Sequence, residues 1–154
     1  MTKKDTIIGA IVRYFEGCPV LTEREPAPAN DDPEVINVDN LPEQVQEYCI
    51  ETVPCKPVLR AYVDGSAIKQ FEFVFASREA FGVPLDNLGN SAFYESVADW
   101  LEDQSKAGNL PILPKGLEAQ KLEVLTNGYV MDNNETKARY QIQCRLRYYQ
   151  PAKS

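Results

Sequence analysis

The chain contains no histidine among its 154 residues. That absence removes Ser-His-Asp and Cys-His catalysis, Cys₂His₂ zinc sites and the side chain that ordinarily changes charge near neutral pH. Any catalyst built here would have to use carboxylates, Lys, Tyr or Cys. Glycine is also sparse, at eight residues, and forms neither G-x-x-x-x-G-K-[ST] nor G-x-G-x-x-G, so no phosphate-cradling loop is expected. The four cysteines, Cys18, Cys49, Cys55 and Cys144, contain no C-x-x-C pair. They are expected to be free thiols packed as small hydrophobes, not a disulfide framework or a zinc site. No apolar run approaches the roughly 18 residues of a membrane span. Arg13 and Glu16 interrupt the first apolar stretch, so no secretion signal is expected either.

Charge of one sign is in short supply too. There are 16 Lys and Arg against 23 Asp and Glu, a net charge of −7 and a pI near 4.7. The bulk field therefore opposes sequence-independent binding to nucleic acid. An apolar fraction of 44% and an aromatic fraction of 10% suit a packed core. The length suits one domain over residues 1–154.

What is present is periodicity. Residues 6–17 place Ile7, Ile8, Ile11, Val12 and Phe15 on one helical stripe, with Gly17 as a stop and Pro19 against continuation. Residues 22–33 are rich in proline and acid and poor in large apolar side chains. They read as an exposed loop, or as an arm that orders against a neighbour. Short strands are predicted at 35–38 and 46–53. A hairpin follows, with arms 58–63 and 67–76 around Asp64-Gly65-Ser66. Its return arm aligns Phe71, Phe73 and Phe75 on one face. Residues 77–81 suggest a short helical turn within an irregular stretch containing Gly82, Pro84 and Gly89. Asn90 or Ser91 then caps a helix to about Ala107, with Phe93, Val97, Trp100, Leu101 and Gln104 inward. Residues 117–125 and 129–131 are predicted as strands. A turn at 132–135 leads into a last long strand that pairs antiparallel with the one before it. The order gives an α+β fold: a mainly antiparallel sheet with two main helices on one face.

That last strand is the most informative. Ala138, Tyr140, Ile142, Cys144, Leu146 and Tyr148 alternate with Arg139, Gln141, Gln143, Arg145 and Arg147. One face belongs to a core, and the other forms a basic stripe in an acidic chain. Arg suits interface ion pairs because its planar fork meets a carboxylate in two places. Arg139, Gln141, Gln143, Arg145 and Arg147 are therefore the candidate interface, against the plainer reading of a solvated strand face. Asp99, Glu102 and Asp103 have no basic or oxygen-rich partner at a fixed offset and read as a solvated helix face. Asp132-Asn133-Asn134-Glu135 lacks the spacing of a calcium loop. No catalytic, metal or cofactor residues are assigned.

Three segments carry a resemblance: FEFVFASREAFG (71–82), NSAFYESVADWLEDQSKAGNLPILPKG (90–116) and LTNGYVMDNNETKARYQIQCRLRYYQ (125–150). They resemble small proteins from the tail modules of phages and prophages of Gram-positive bacteria, of the tail-terminator or tail-completion (minor capsid) class. The resemblance spans roughly residues 35–150, and the last two thirds are specific. It implies a tail-terminator-like α+β fold and a structural role in the virion, assembled in the host cytoplasm. Such subunits form a ring, commonly a hexamer, at the head-proximal end of the tail tube, where they stop tube growth and join the head connector. The implied partners are the chain itself, the tail-tube protein and the head–tail connector. No membrane partner and no direct nucleic-acid readout are implied, although DNA passes through such a ring. Some members carry the label chloramphenicol resistance protein, which implies acetyl transfer with a catalytic histidine. This chain has none, so that role is rejected. The alternatives are another virion role, such as head-side adaptor, minor capsid or tail-tube subunit, or a small ligand-binding domain.

Overall fold

A computed structural model of the chain describes residues 6–24, 36–43 and 45–153. The predicted loop or arm at 22–33 lies outside the described residues except for Thr22, Glu23 and Arg24.

The fold is α+β, with seven strands in one sheet and three helices among the described residues. Two long strands form its axis, β4 (Ala67–Ala80) and β7 (Lys137–Gln150). They pair antiparallel along their whole length, from Ala67 opposite Gln150 to Ala80 opposite Lys137. Each long strand carries two short strands on its outer edge. β2 (Tyr48–Val53) and β3 (Val58–Ala61) share the edge of β4, and β5 (Glu118–Val124) and β6 (Tyr129–Asn133) share the edge of β7. All these pairings are antiparallel. Only β1 (Ile36–Val38) is parallel, added outside β2.

The helices are α1 (Ile7–Glu16), α2 (Pro19–Thr22) and α3 (Pro84–Lys106). They share one core with a single face of the sheet. Thr6 caps α1 by accepting the amide of Gly9 at 3.0 Å. Phe15 lies flat on Phe75, with ring centroids 5.0 Å apart and 1° between planes. Phe73, Phe75, Ile142, Cys144 and Leu146 are fully covered beneath the helices. Each large apolar side chain so buried contributes about 1.5–3 kcal/mol. The period-2 reading of β7 holds at every apolar position from Ala138 to Tyr148.

Four local expectations are corrected. Residues 77–80 are not a helical turn: β4 runs straight through them, held by the full pairing with β7. A backbone bond from the Arg78 amide to the Glu47 carbonyl adds to this hold. α3 begins at Pro84, six residues before Asn90. Proline is well suited to a first helical position, because its missing N–H would have no partner there. Asn90 is consequently not a cap. Its side chain donates to the Ala80 carbonyl at 2.8 Å and ties the helix to the end of β4. Finally, Pro19 does not end helical structure but opens α2, one short turn that buries Leu21.

Candidate interaction face

The helices occupy one side of the sheet, so the alternate residues of β2, β4, β5 and β7 form the other. All five candidate residues lie there, as the alternation predicts. Among the described residues no helix covers this face. Its centre is small and apolar: Cys49, Val74 and Ala76 are buried under the long polar side chains around them.

The arginines are not free. Arg139 reaches diagonally across Ala76 to Glu51 on β2, with Nη1 and Nη2 each donating to one carboxylate oxygen. Burial alone would weaken the hold of Arg139 on its proton. The hydrogen bond and charge of Glu51 outweigh this and raise its pKa above the usual arginine value. The Cys49 thiol beneath is pushed up to about 12, first by burial and then by the charge of Glu51. It is therefore a neutral packing group, not a nucleophile. Arg145 Nη2 donates to Glu123 of β5 at 2.9 Å, and Arg145 Nη1 to Gln70 at 3.4 Å. Arg147 stands 3.9 Å from the other Glu123 oxygen. Gln141 and Gln143 both donate to the Tyr129 hydroxyl, at 2.6 and 3.1 Å. Gln141 is itself buried.

The stripe is thus one half of a cross-strand network. Glu51, Glu72 and Glu123 share the face with the three arginines of the stripe and with Arg78, and Glu72 sits opposite Arg145 in register. Sequence reasoning missed these glutamates and Tyr129. Glu51 and Glu123 alternate with core-facing residues in their own strands, but their meeting with the arginines depends on which strands pair. Three buried polar atoms here have no hydrogen-bond partner: Glu123 Oε1, Arg145 Nε and Arg147 Nε.

Elsewhere the polar groups serve the fold. The Tyr94 hydroxyl lies 2.8 Å from Ser77 Oγ and donates to the Tyr140 carbonyl at 3.0 Å. Burial raises its pKa well above that of an exposed tyrosine. Ser77 therefore faces a neutral phenol with no base beside it. Cys18, Cys49 and Cys144 are buried and Cys55 half-buried, all as free thiols. Among the described residues no three Cys, Asp or Glu side chains converge as metal ligands do, and no helix is long and apolar enough to cross a membrane.

No protein-family model and no curated protein sequence matches the chain.

Proposed function

We propose that the chain is a structural virion protein, a phage tail-terminator or tail-completion subunit. It assembles as a ring at the head-proximal end of the tail tube, stops tube growth and joins the tail to the head connector. One observation carries the reading: the three segments that resemble this class are those that build the fold. They supply most of β4, α3 and the β6–β7 pair, so the resemblance covers the sheet axis and its main helix. The sheet face adds a physical argument. Arg139 and Arg145 are paired with glutamates inside the subunit, which lowers the attraction of this face for phosphate. A wall of that kind lets DNA pass without gripping it. The experiment is a particle-size measurement by sedimentation velocity and negative-stain microscopy, alone and with purified tail-tube protein. A ring, or a ring seated on tube ends, is expected. A monomer at high concentration that binds neither tube nor connector protein would overturn the proposal.

A further inference from the structure

Two charged clefts lie away from the arginine stripe. One is a cleft of about 640 Å³ at the end of the sheet beside the start of α1. Lys69, Lys115 and Lys153 line it around an apolar floor of Ile7, Leu117 and Tyr148, and no carboxylate lines it. Among the described residues none of these lysines forms an ion pair or a side-chain hydrogen bond. Lys115 is exposed, and it and Gly116 are two consecutive left-handed residues, at φ 60° and φ 74°. The other is a cleft of about 480 Å³ between α3 and the turn at Asn127 and Gly128, lined by Glu95, Asp99 and Glu102. These carboxylates and Asp103 are exposed and also unpaired among the described residues.

The acidic helix face is costly to keep within a lone subunit. Glu95 and Asp99, and Asp99 and Asp103, are like charges four residues apart, which destabilise a helix. Glu102 and Asp103 also lie near the negative end of the helix dipole, where cations are favoured. The two clefts share no lining residue, so contact between them is head-to-tail and not self-complementary. A head-to-tail contact that closes makes a ring.

We propose that the acidic face of α3 in one copy docks on the Lys69–Lys115–Lys153 cleft of the next copy, and that this contact closes the ring. The proposal rests on the reading that the chain assembles with itself. It leaves the arginine and glutamate sheet face as a wall, not the joint between subunits. Opposed charges of this kind set orientation and partner choice and speed encounter.

The test uses the full chain with two charge reversals on exposed positions, Asp99→Lys/Glu102→Lys and Lys115→Glu/Lys153→Glu, each checked for native circular dichroism. Sedimentation velocity should show association weakened at least ~10-fold in each variant, and weakened in the wild type by raised salt. Mixing the two variants should restore assembly as alternating copies, since every joint then pairs opposite charges. Wild-type assembly with both variants unaffected, or variants that stay dissociated when mixed, would overturn the contact. A wild type that is monomeric at every concentration overturns it too, whereas capture of tail-tube protein by that monomer would leave the virion reading standing.

Discussion

Arg24 grips Glu79 with both arms of its guanidinium, Nη1 to Oε2 at 3.0 Å and Nη2 to Oε1 at 2.5 Å. The pair lies on the helical side of the sheet, with the Glu79 side chain 2% exposed and that of Arg24 17%. Arg24 also donates to the Tyr48 hydroxyl at 3.1 Å and lies 4.0 Å over the Phe93 ring. Burial disfavours the charge on Arg24, but Glu79 outweighs it and raises the guanidinium pKa. A residue just beyond α2 is thereby clamped to the inward face of β4.

Removing one partner strands the other in the interior. Arg24→Leu is expected to cost about 3–5 kcal/mol, a fall in Tm of roughly 10 °C for a domain of this size. Arg24→Leu/Glu79→Leu should be more stable than Arg24→Leu alone, because no uncompensated charge remains. Urea unfolding of both variants measures the difference. Equal stability of the two would show that Glu79 finds other partners when Arg24 is gone.

Gly128 is the tightest backbone approach among the described glycines. A Cβ there would stand 2.8 Å from Tyr94 Cδ1 and closer still to Cβ and Cγ. Tyr94 is unable to retreat, because its hydroxyl is tied to Ser77 and Tyr140 and its ring stacks on Tyr140 at 5.8 Å. Gly128→Ala should therefore destabilise by about 1–3 kcal/mol, read as a lower urea midpoint at unchanged slope. Gly89, where an added Cβ would meet nothing within 4 Å, is the control. Gly89→Ala lies inside α3 and should be neutral to stabilising.

The strand from Ala138 to Tyr148 was legible because a period of two needs no knowledge of partners. The phenylalanines of β4 and the stripe of α1 were legible for the same reason. The last third of β4 was not. Ser77 and Glu79 are polar residues facing a core, and they are tolerated only because Tyr94 and Arg24, 17 and 55 residues away, satisfy them. The start of α3 was hidden by Gly82, Pro84 and Gly89, which read locally as breakers. Tyr94 is buried because Ser77 and the Tyr140 carbonyl satisfy its hydroxyl, partners that no helical period reveals. The arginine face lies where the alternation puts it, but its glutamate partners within the subunit are not visible from one strand. Glu51 lies 88 residues from Arg139 in sequence and Glu123 22 from Arg145, and only the strand order brings them together.

Alkaline pH should unfold the protein in a defined window. Burial raises the pKa of Cys49 from 9.0 to about 12 and, with a smaller contribution from the charge of Cys18, that of Tyr14 from 10.0 to about 12. Burial raises Cys144 and Tyr94 as well. A raised pKa means that the folded state keeps the proton. Stability is therefore full below the unfolded values of 9–10 and is lost as pH climbs towards the folded ones. Between its own unfolded and folded values each such group removes at most about 1.4 kcal/mol per pH unit, and the partly exposed Tyr14 less because solvent screens it. Tm should be flat from about pH 7 to 8.5 and fall steeply above about pH 9.5. Cys49→Ala should make the fall shallower, and an unchanged slope would show that Cys49 ionises freely in the folded protein.

The two outer arginines of the sheet face should respond differently to charge reversal. The Arg145 side chain is 28% exposed and bonded to Glu123, whereas that of Arg147 is 40% exposed and 3.9 Å from it. Arg145→Glu places a carboxylate against Glu123 and opposite Glu72. It should cost about 1–3 kcal/mol through lost and unmade charged hydrogen bonds. Arg147→Glu should stay within about 1 kcal/mol of the wild type. The exchange Arg145→Glu/Glu123→Arg re-forms the cross-strand pair and should recover most of the loss, a coupling read by a double-mutant cycle in urea. Assembly is the second readout. Because the joint between copies is placed at the two clefts, the sheet face should tolerate Arg147→Glu with ring formation intact. Loss of assembly in a folded Arg147→Glu variant would instead make the sheet face the joint between subunits.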